Sequence, residues 1–246
     1  MKTANHTIAK SDNTHVCCSL ATPCHFPFTE GISLADLIES NYKLLSVLSR
    51  LGVNLSFGDV SVAAACKRYG LSTALFLMIC NLYTCPDYKP DTSSLSADDI
   101  ARTLRYLRLS HNYYMTVQLP KVQRGVAALA GDCNNIQEKV LIKFFDELVA
   151  EIGSHFDREE RIFATIDRRL AGEGAIECPP LDVDADHDDI GDKIDDIKSI
   201  VIKYLPEKCP TELRLEVLME IYRLREDMHN HILIESRLLE PALKRF

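Results

Sequence analysis

The chain is short of turn residues, with 10 glycines and 10 prolines in 246 residues, well below the roughly 12% combined usage of an average protein. So few turns in a chain of this length require long elements. There is also no run of ~18 apolar residues long enough to span a bilayer; the densest stretch, residues 71–85, is too short and lacks flanking anchors. Residues 1–30 hold no apolar core of a secretory signal, so a cytoplasmic location is expected. A basic surplus is missing as well. The chain has 28 Lys and Arg against 36 Asp and Glu, a net charge of -8, which argues against nucleic-acid binding. Neither a Gly-rich phosphate loop nor a G-x-S-x-G elbow occurs, which leaves nucleotide binding and serine hydrolysis without an anchor. Nine cysteines are an odd number for a disulfide framework, so most are expected as free thiols.

What is present is the composition of a folded protein, with 46% hydrophobic and 26% charged residues, enough for a substantial core. Residues 1–30, rich in Ser, Thr, Asn, His and Cys, read as a mobile tail. Residues 31–88 carry amphipathic segments at 34–51, 59–69 and 71–83, divided by Gly52 and Gly70, and are expected to form a small helical N-terminal domain. Residues 89–96 read as a linker, from Pro86, Pro90 and the polar cluster that follows them. Ser96-Ala-Asp-Asp99 then has the spacing of a capping box, with Asp at the third helical position. Helical periodicity follows over 97–130, 136–170, 182–204 and from about 211 onward. The breaks fall at 131–135, at Gly172, Gly174, Pro179 and Pro180, and at Pro206. Long helices joined by short loops predict an all-α protein whose residues 97–246 form an antiparallel four-helix bundle.

Histidines mark the inward faces of these helices. In the second, His155 and Glu159 continue the stripe Leu141, Phe145, Leu148, Ile152. In the fourth, His231 and Glu235 continue Leu213, Val217, Leu224, Met228. A His and a Glu four residues apart lie one turn from each other on the same face, so each pair aims one imidazole and one carboxylate inward. His187 sits in the stripe Val183, Ile190, Ile194, Ile197 of the third helix, and His111 follows Ile100, Leu104, Leu107 in the first. With 8 His and 16 Glu in the chain, chance gives about half an H-x-x-x-E pair on average; two occur, both on apolar faces. A buried ionised Glu is costly unless it is paired or binds a metal. Four imidazoles and two carboxylates suit two transition-metal ions with two His each and shared bridging carboxylates.

The segments His155-Phe-Asp-Arg-Glu159-Glu160-Arg-Ile-Phe163 and His231-Ile-Leu-Ile-Glu235-Ser-Arg-Leu-Leu-Glu-Pro241 resemble the H-x-x-x-E-E-x-x-L-F-P and H-x-x-x-E-x-x-L-F-P motifs of hemerythrin-like HHE cation-binding domains. Asp186-His187-Asp188 resembles the third-helix His of that family. Ser110-His111-Asn-Tyr-Tyr-Met-Thr-Val-Gln-Leu119-Pro120 resembles its first-helix segment. The resemblance covers about residues 32–246 and is closest to the iron-sulfur cluster repair di-iron proteins, which also carry a small N-terminal helical domain. Three departures stand out. Some members have the first-helix His one residue later, where this chain has Asn112. The middle-helix H-x-x-x-H pair of oxygen-carrying hemerythrins is absent. Leu55-Ser56-Phe57-Gly58 stands where the repair proteins have adjacent cysteines.

The resemblance implies two non-haem iron ions, oxo- and carboxylate-bridged, held by His111, His155, His187 and His231 with Glu159 and Glu235 bridging. It further implies a role in nitrosative and oxidative stress, restoring damaged iron-sulfur clusters. The ligands would be oxygen, nitric oxide or peroxide, the partners iron-sulfur client proteins, and a homodimer is compatible. An oxygen or nitric oxide binding or sensing protein without turnover uses the same residues, as does a peroxidase or nitric oxide reductase. A purely structural bundle is the remaining alternative. Among lesser features, His229 is expected on the surface. Tyr114 is expected either to pack or to hydrogen-bond a bound ligand, and Glu160 either to support an imidazole or to be solvated. Cys66 and Cys80 read as small core residues. Cys17 and Cys18 lie in the tail.

Overall fold

Serines start four of the helices. The hydroxyls of Ser33, Ser61, Ser72 and Ser96 accept from the backbone N–H groups of Asp36, Ala64, Leu75 and Asp99, each three residues on, satisfying a donor that the first helical turn leaves open. They open α1 (Leu34–Ser40), α3 (Val62–Tyr69), α4 (Thr73–Thr84) and α5 (Ala97–Tyr113). At Ser96 the capping box is complete, with the Asp99 carboxylate accepting from the Ser96 N–H at 3.0 Å. The computed structural model describes residues 27–133, 136–173 and 185–245, without the side chains of 132–133, 136–138 and 185–188. Nearly all of the expected tail, with Cys17 and Cys18, lies outside the described residues.

One amphipathic segment expected over 34–51 is two helices, α1 and α2 (Leu44–Arg50). The break is made by Asn41, which is extended at φ -156°. Its side-chain amide donates to the Tyr83 carbonyl and the Thr84 hydroxyl, both at 3.0 Å. That buried amide caps the end of α4, so the chain bends there. Gly70, at φ 64°, closes α3 in the left-handed conformation that glycine adopts without a steric cost.

The bundle rods lie where periodicity puts them, but three of them are not α-helical throughout. The first rod is α5, a π turn at Tyr114–Gln118 and α6 (Leu119–Cys133). The second is α7 (Ile136–Leu170), the third α8 (Ala185–Ser199) with a π turn at Ile200–Tyr204. The fourth is α9 (Thr211–Ile234), a π turn at Glu235–Leu239 and α10 (Glu240–Leu243). Each π turn is followed, after one intervening residue, by proline: Pro120, Pro206 and Pro241. Proline lacks an N–H and its ring pushes away the carbonyl four residues before it, and in each case that carbonyl lies inside the π turn. The helix answers by widening to i→i−5 bonds, as from Leu119 N–H to Tyr114 O and from Glu240 N–H to Glu235 O.

The first rod packs on the second and fourth, and the third packs on both of those, which closes a four-membered helical ring; the described residues contain no strand. The N-terminal helices dock on the ring through α2 against α5 and α4 against α9. Two apolar clusters result. One joins Leu34, Leu48, Phe76 and Ile79 of the N-terminal helices to Leu104, Leu107, Phe163, Ile234 and Leu238 of the bundle. The other fills the far half with Tyr114, Leu129, Phe145, Ile152, Phe156, Ile194 and Met228. Cys66 and Cys80 are buried in the first cluster, where burial raises both thiols above their ordinary pKa. Cys209 is disulfide-bonded.

The α6–α9 contact depends on Gly125, where an added Cβ would come within 2.6 Å of Val217 Cγ2. Gly125→Ala is expected to destabilise the protein by roughly 1–2 kcal/mol, since overpacking outweighs the better helix propensity of alanine. Gly131→Ala, with nothing within 4 Å of the new methyl, is expected to stabilise by about 0.5–1 kcal/mol. Urea denaturation midpoints of the two variants would move in opposite directions.

Candidate metal centre

Between the two apolar clusters lies a polar layer. His111 leaves α5 after Leu107, His155 and Glu159 leave α7 between Ile152 and Phe163, and His231 and Glu235 leave the fourth rod between Met228 and Leu238. All five side chains are buried, down to 0% exposure for Glu235 and 1% for His231. His111, Glu159, His231 and Glu235 offer donor atoms that all lie within 4.8 Å of one another.

The Glu159 carboxylate faces two imidazoles at once. One oxygen is 3.1 Å from His111 Nε2 and the other 2.9 Å from His155 Nε2. His111 Nε2 also lies 3.1 Å from His231 Nε2, and His231 Nε2 is 3.2 Å from a Glu235 oxygen. The two H-x-x-x-E pairs therefore converge from facing rods, with His111 brought in from the first. His187 lies on α8, but its side chain is outside the described residues, so its place in the set is untouched by these distances.

Aromatic rings fix the imidazoles. His111 stacks on Phe156 with ring centroids 4.0 Å apart and on Phe163 at 5.8 Å. Tyr114 and Phe156 both meet the His231 ring edge-on, at 5.9 and 6.1 Å. These rings shut out water on the near sides of the site. Burial, joined by the neighbouring imidazoles of His231 and His155, pulls the pKa of His111 down to about 4 against the pull of Glu159. A neutral imidazole with a lone pair on Nε2 is the form that binds metals. Nitrogen and carboxylate oxygen donors at this spacing, buried and held by stacked rings, fit a transition-metal site.

The lesser residues also find their places. Glu160 does not support an imidazole: both its oxygens accept from Arg108 Nε at 2.9 Å, on a half-exposed surface where Arg108 also reaches Asp167. Tyr114 is fully buried, with the Arg50 guanidinium 5.4 Å from its ring. Its phenol is held well above the ordinary pKa by burial and by the charge of Asp227. His229 is exposed, as expected. Sequence reasoning passed over Asp227 and Arg50. Asp227 lies one turn before His231 and carried a signal, a third polar residue at four-residue spacing. Arg50, 177 residues away in sequence, carried none.

The His111 shift sets a pH dependence for metal-free protein. Its ordinary pKa is 6.5 and its folded value about 4, so the unfolded chain takes up the proton first as pH falls. Stability contributed by the neutral buried ring is full above about pH 6.5 and drains away between there and pH 4, by roughly 3 kcal/mol. Denaturation of metal-free protein across that range, beside His111→Asn, would read the loss. The variant is expected to lose less stability on acidification.

Comparison with curated proteins finds no match. A profile of the hemerythrin HHE cation binding domain matches residues 96–243, from the capping serine of α5 to the last residue of α10 and across all three rods that supply the polar layer. With more than half of its residues inside that match and two H-x-x-x-E pairs converging within it, the chain belongs to the hemerythrin HHE cation-binding domain family.

Proposed function

We propose that the polar layer holds a non-haem di-iron centre and that the protein works in nitrosative and oxidative stress defence, helping to restore damaged iron-sulfur clusters. The observation that carries the metal reading is the orientation of Glu159, one oxygen toward His111 and the other toward His155, as a bridging carboxylate requires. In this reading His111, His155, His231 and the sequence-predicted His187 would hold the ions, with the Glu159 and Glu235 carboxylates shared between them. When bound, the ions supply redox chemistry and open positions for small ligands such as oxygen, nitric oxide or peroxide. The chain's own residues do the rest. Phe156, Phe163 and Tyr114 exclude water, and the stacked Phe156 ring keeps His111 turned toward Glu159. The cytoplasm is the compartment this role implies.

A binding or sensing role for oxygen or nitric oxide without turnover is the second reading. The loop Leu55-Ser56-Phe57-Gly58 favours it, because no thiol stands there. The buried thiols of Cys66 and Cys80, with raised pKa values, are poor nucleophiles.

Anaerobically purified protein is expected to hold two irons per chain with near-ultraviolet oxo-bridge absorption, and His155→Ala with Glu159→Ala to lose both. Near-zero iron in the parent protein sinks the proposal. Incubation of iron-loaded protein with a nitric-oxide-damaged iron-sulfur enzyme then separates the readings: recovery of the enzyme supports repair, while reversible gas binding without recovery supports sensing. Replacing Glu159 and Glu235 by Leu is expected to abolish iron binding yet leave the metal-free protein at least as stable, with a gain of up to about 4 kcal/mol, because apolar side chains of similar volume take the place of buried carboxylates. A fall in metal-free stability would mean that the carboxylates serve packing.

A further inference from the structure

Among the described residues, Arg50 is the one lysine or arginine in the buried set, 8% exposed. It belongs to the last turn of α2, yet its partner is in the bundle. Nη1 donates to Asp227 Oδ1 at 2.9 Å and Nη2 donates to Asp227 Oδ2, a two-pronged clamp on the residue one turn before His231. The Tyr83 hydroxyl, 2.8 Å from that of Tyr106, donates to the same Asp227 oxygen at 3.2 Å. The guanidinium carbon lies 5.4–5.7 Å from the rings of Tyr106, Tyr113 and Tyr114, and Tyr114 is the ring in edge contact with His231. A cation placed among the faces of three tyrosines is well held, but this is also an expensive place for a charge, with only half-buried Asp227 to balance it. Simple docking of α2 on α5 does not call for it; apolar contacts already join the two.

We propose that Arg50 is a positioning residue for the metal centre: the N-terminal helices insert a fixed positive charge beside the His231 wall, and together with Asp227 it sets the potential at which the centre accepts electrons. This rests on the di-iron reading above. Arg50 cannot shed its proton, so the charge stays constant across physiological pH, and the low-dielectric tyrosine cage screens it less than water would.

The test is the midpoint potential of the iron-loaded full chain, measured by anaerobic spectroelectrochemical titration, for Arg50→Met, Arg50→Lys and Asp227→Asn. Asp227→Asn leaves the cation unbalanced and is expected to favour the reduced centre. At a fixed applied potential near the midpoint, the reduced-to-oxidised ratio is expected to rise by about tenfold, the effect of one unit charge on the order of 10 Å away at an effective dielectric of about 20. Arg50→Met is expected to shift the ratio the opposite way. Arg50→Lys, which keeps the charge, is expected to stay near the parent value. Should Arg50→Met fail to fold, the other two still decide, since both nearly conserve volume. Iron-replete variants with unchanged potentials, or shifts of one sign in Arg50→Met and Asp227→Asn, overturn the proposal and leave a structural clamp. Parent protein without a redox-active iron centre overturns the di-iron reading itself, and the proposal with it.

Discussion

Two carboxylates stand in the middle of a helical bundle, and the rest of the structure is arranged around that cost. Glu235 has no solvent exposure and Glu159 has 5%, which an apolar interior tolerates only where imidazoles or a cation answer the charge. Among the described side chains, three of the four rods contribute to the answer. The first brings His111 and the second and fourth bring His155 and His231, each one turn from its carboxylate. Above and below the polar layer the packing returns to leucine, isoleucine and phenylalanine, so the charged groups occupy one slice and the helices are free to pack as in any bundle elsewhere.

The aromatic residues of that slice do more than fill space. Phe156 meets three of the imidazoles, His111 face to face at 4.0 Å and His155 and His231 at an angle. A ring stacked that closely restricts rotation about the imidazole side chain and keeps its nitrogen toward Glu159. The geometry is in this sense organised in advance, which lowers the conformational entropy to be lost when a ligand arrives.

Much of this was legible in the residues because it is local. Ser96 and Asp99 announce their capping box three residues apart. His155 with Glu159, and His231 with Glu235, announce a shared helix face at four. Helix ends followed from Gly70, Gly172 and Pro206. The failures are of two kinds. The π turns were missed because period counting assumes a constant 3.6 residues per turn, although Pro120, Pro206 and Pro241 were visible as the cause. The break at Asn41 and the pairings of Arg50 with Asp227 and of Arg108 with Glu160 were missed because they join residues 42 to 177 positions apart. Only the packed fold brings them into reach. His187 was read from its stripe, and its side chain lies outside what the structure describes.

The shared apolar cluster gives the connection between α4 and α5 a role beyond joining two segments. Leu48 and Phe76 before it and Leu104 and Leu238 after it belong to one core, so residues 85–96 act as a tether that keeps two complementary faces at an effective concentration on the order of millimolar or above. Leu95 at the end of the tether stays in that core and Arg237 holds the Pro86 carbonyl, so proteolysis between them would leave the facing helices still in contact. It would turn a first-order association into a second-order one, and at the much lower concentrations of most proteins the N-terminal helices, with Arg50 on them, would be free to leave.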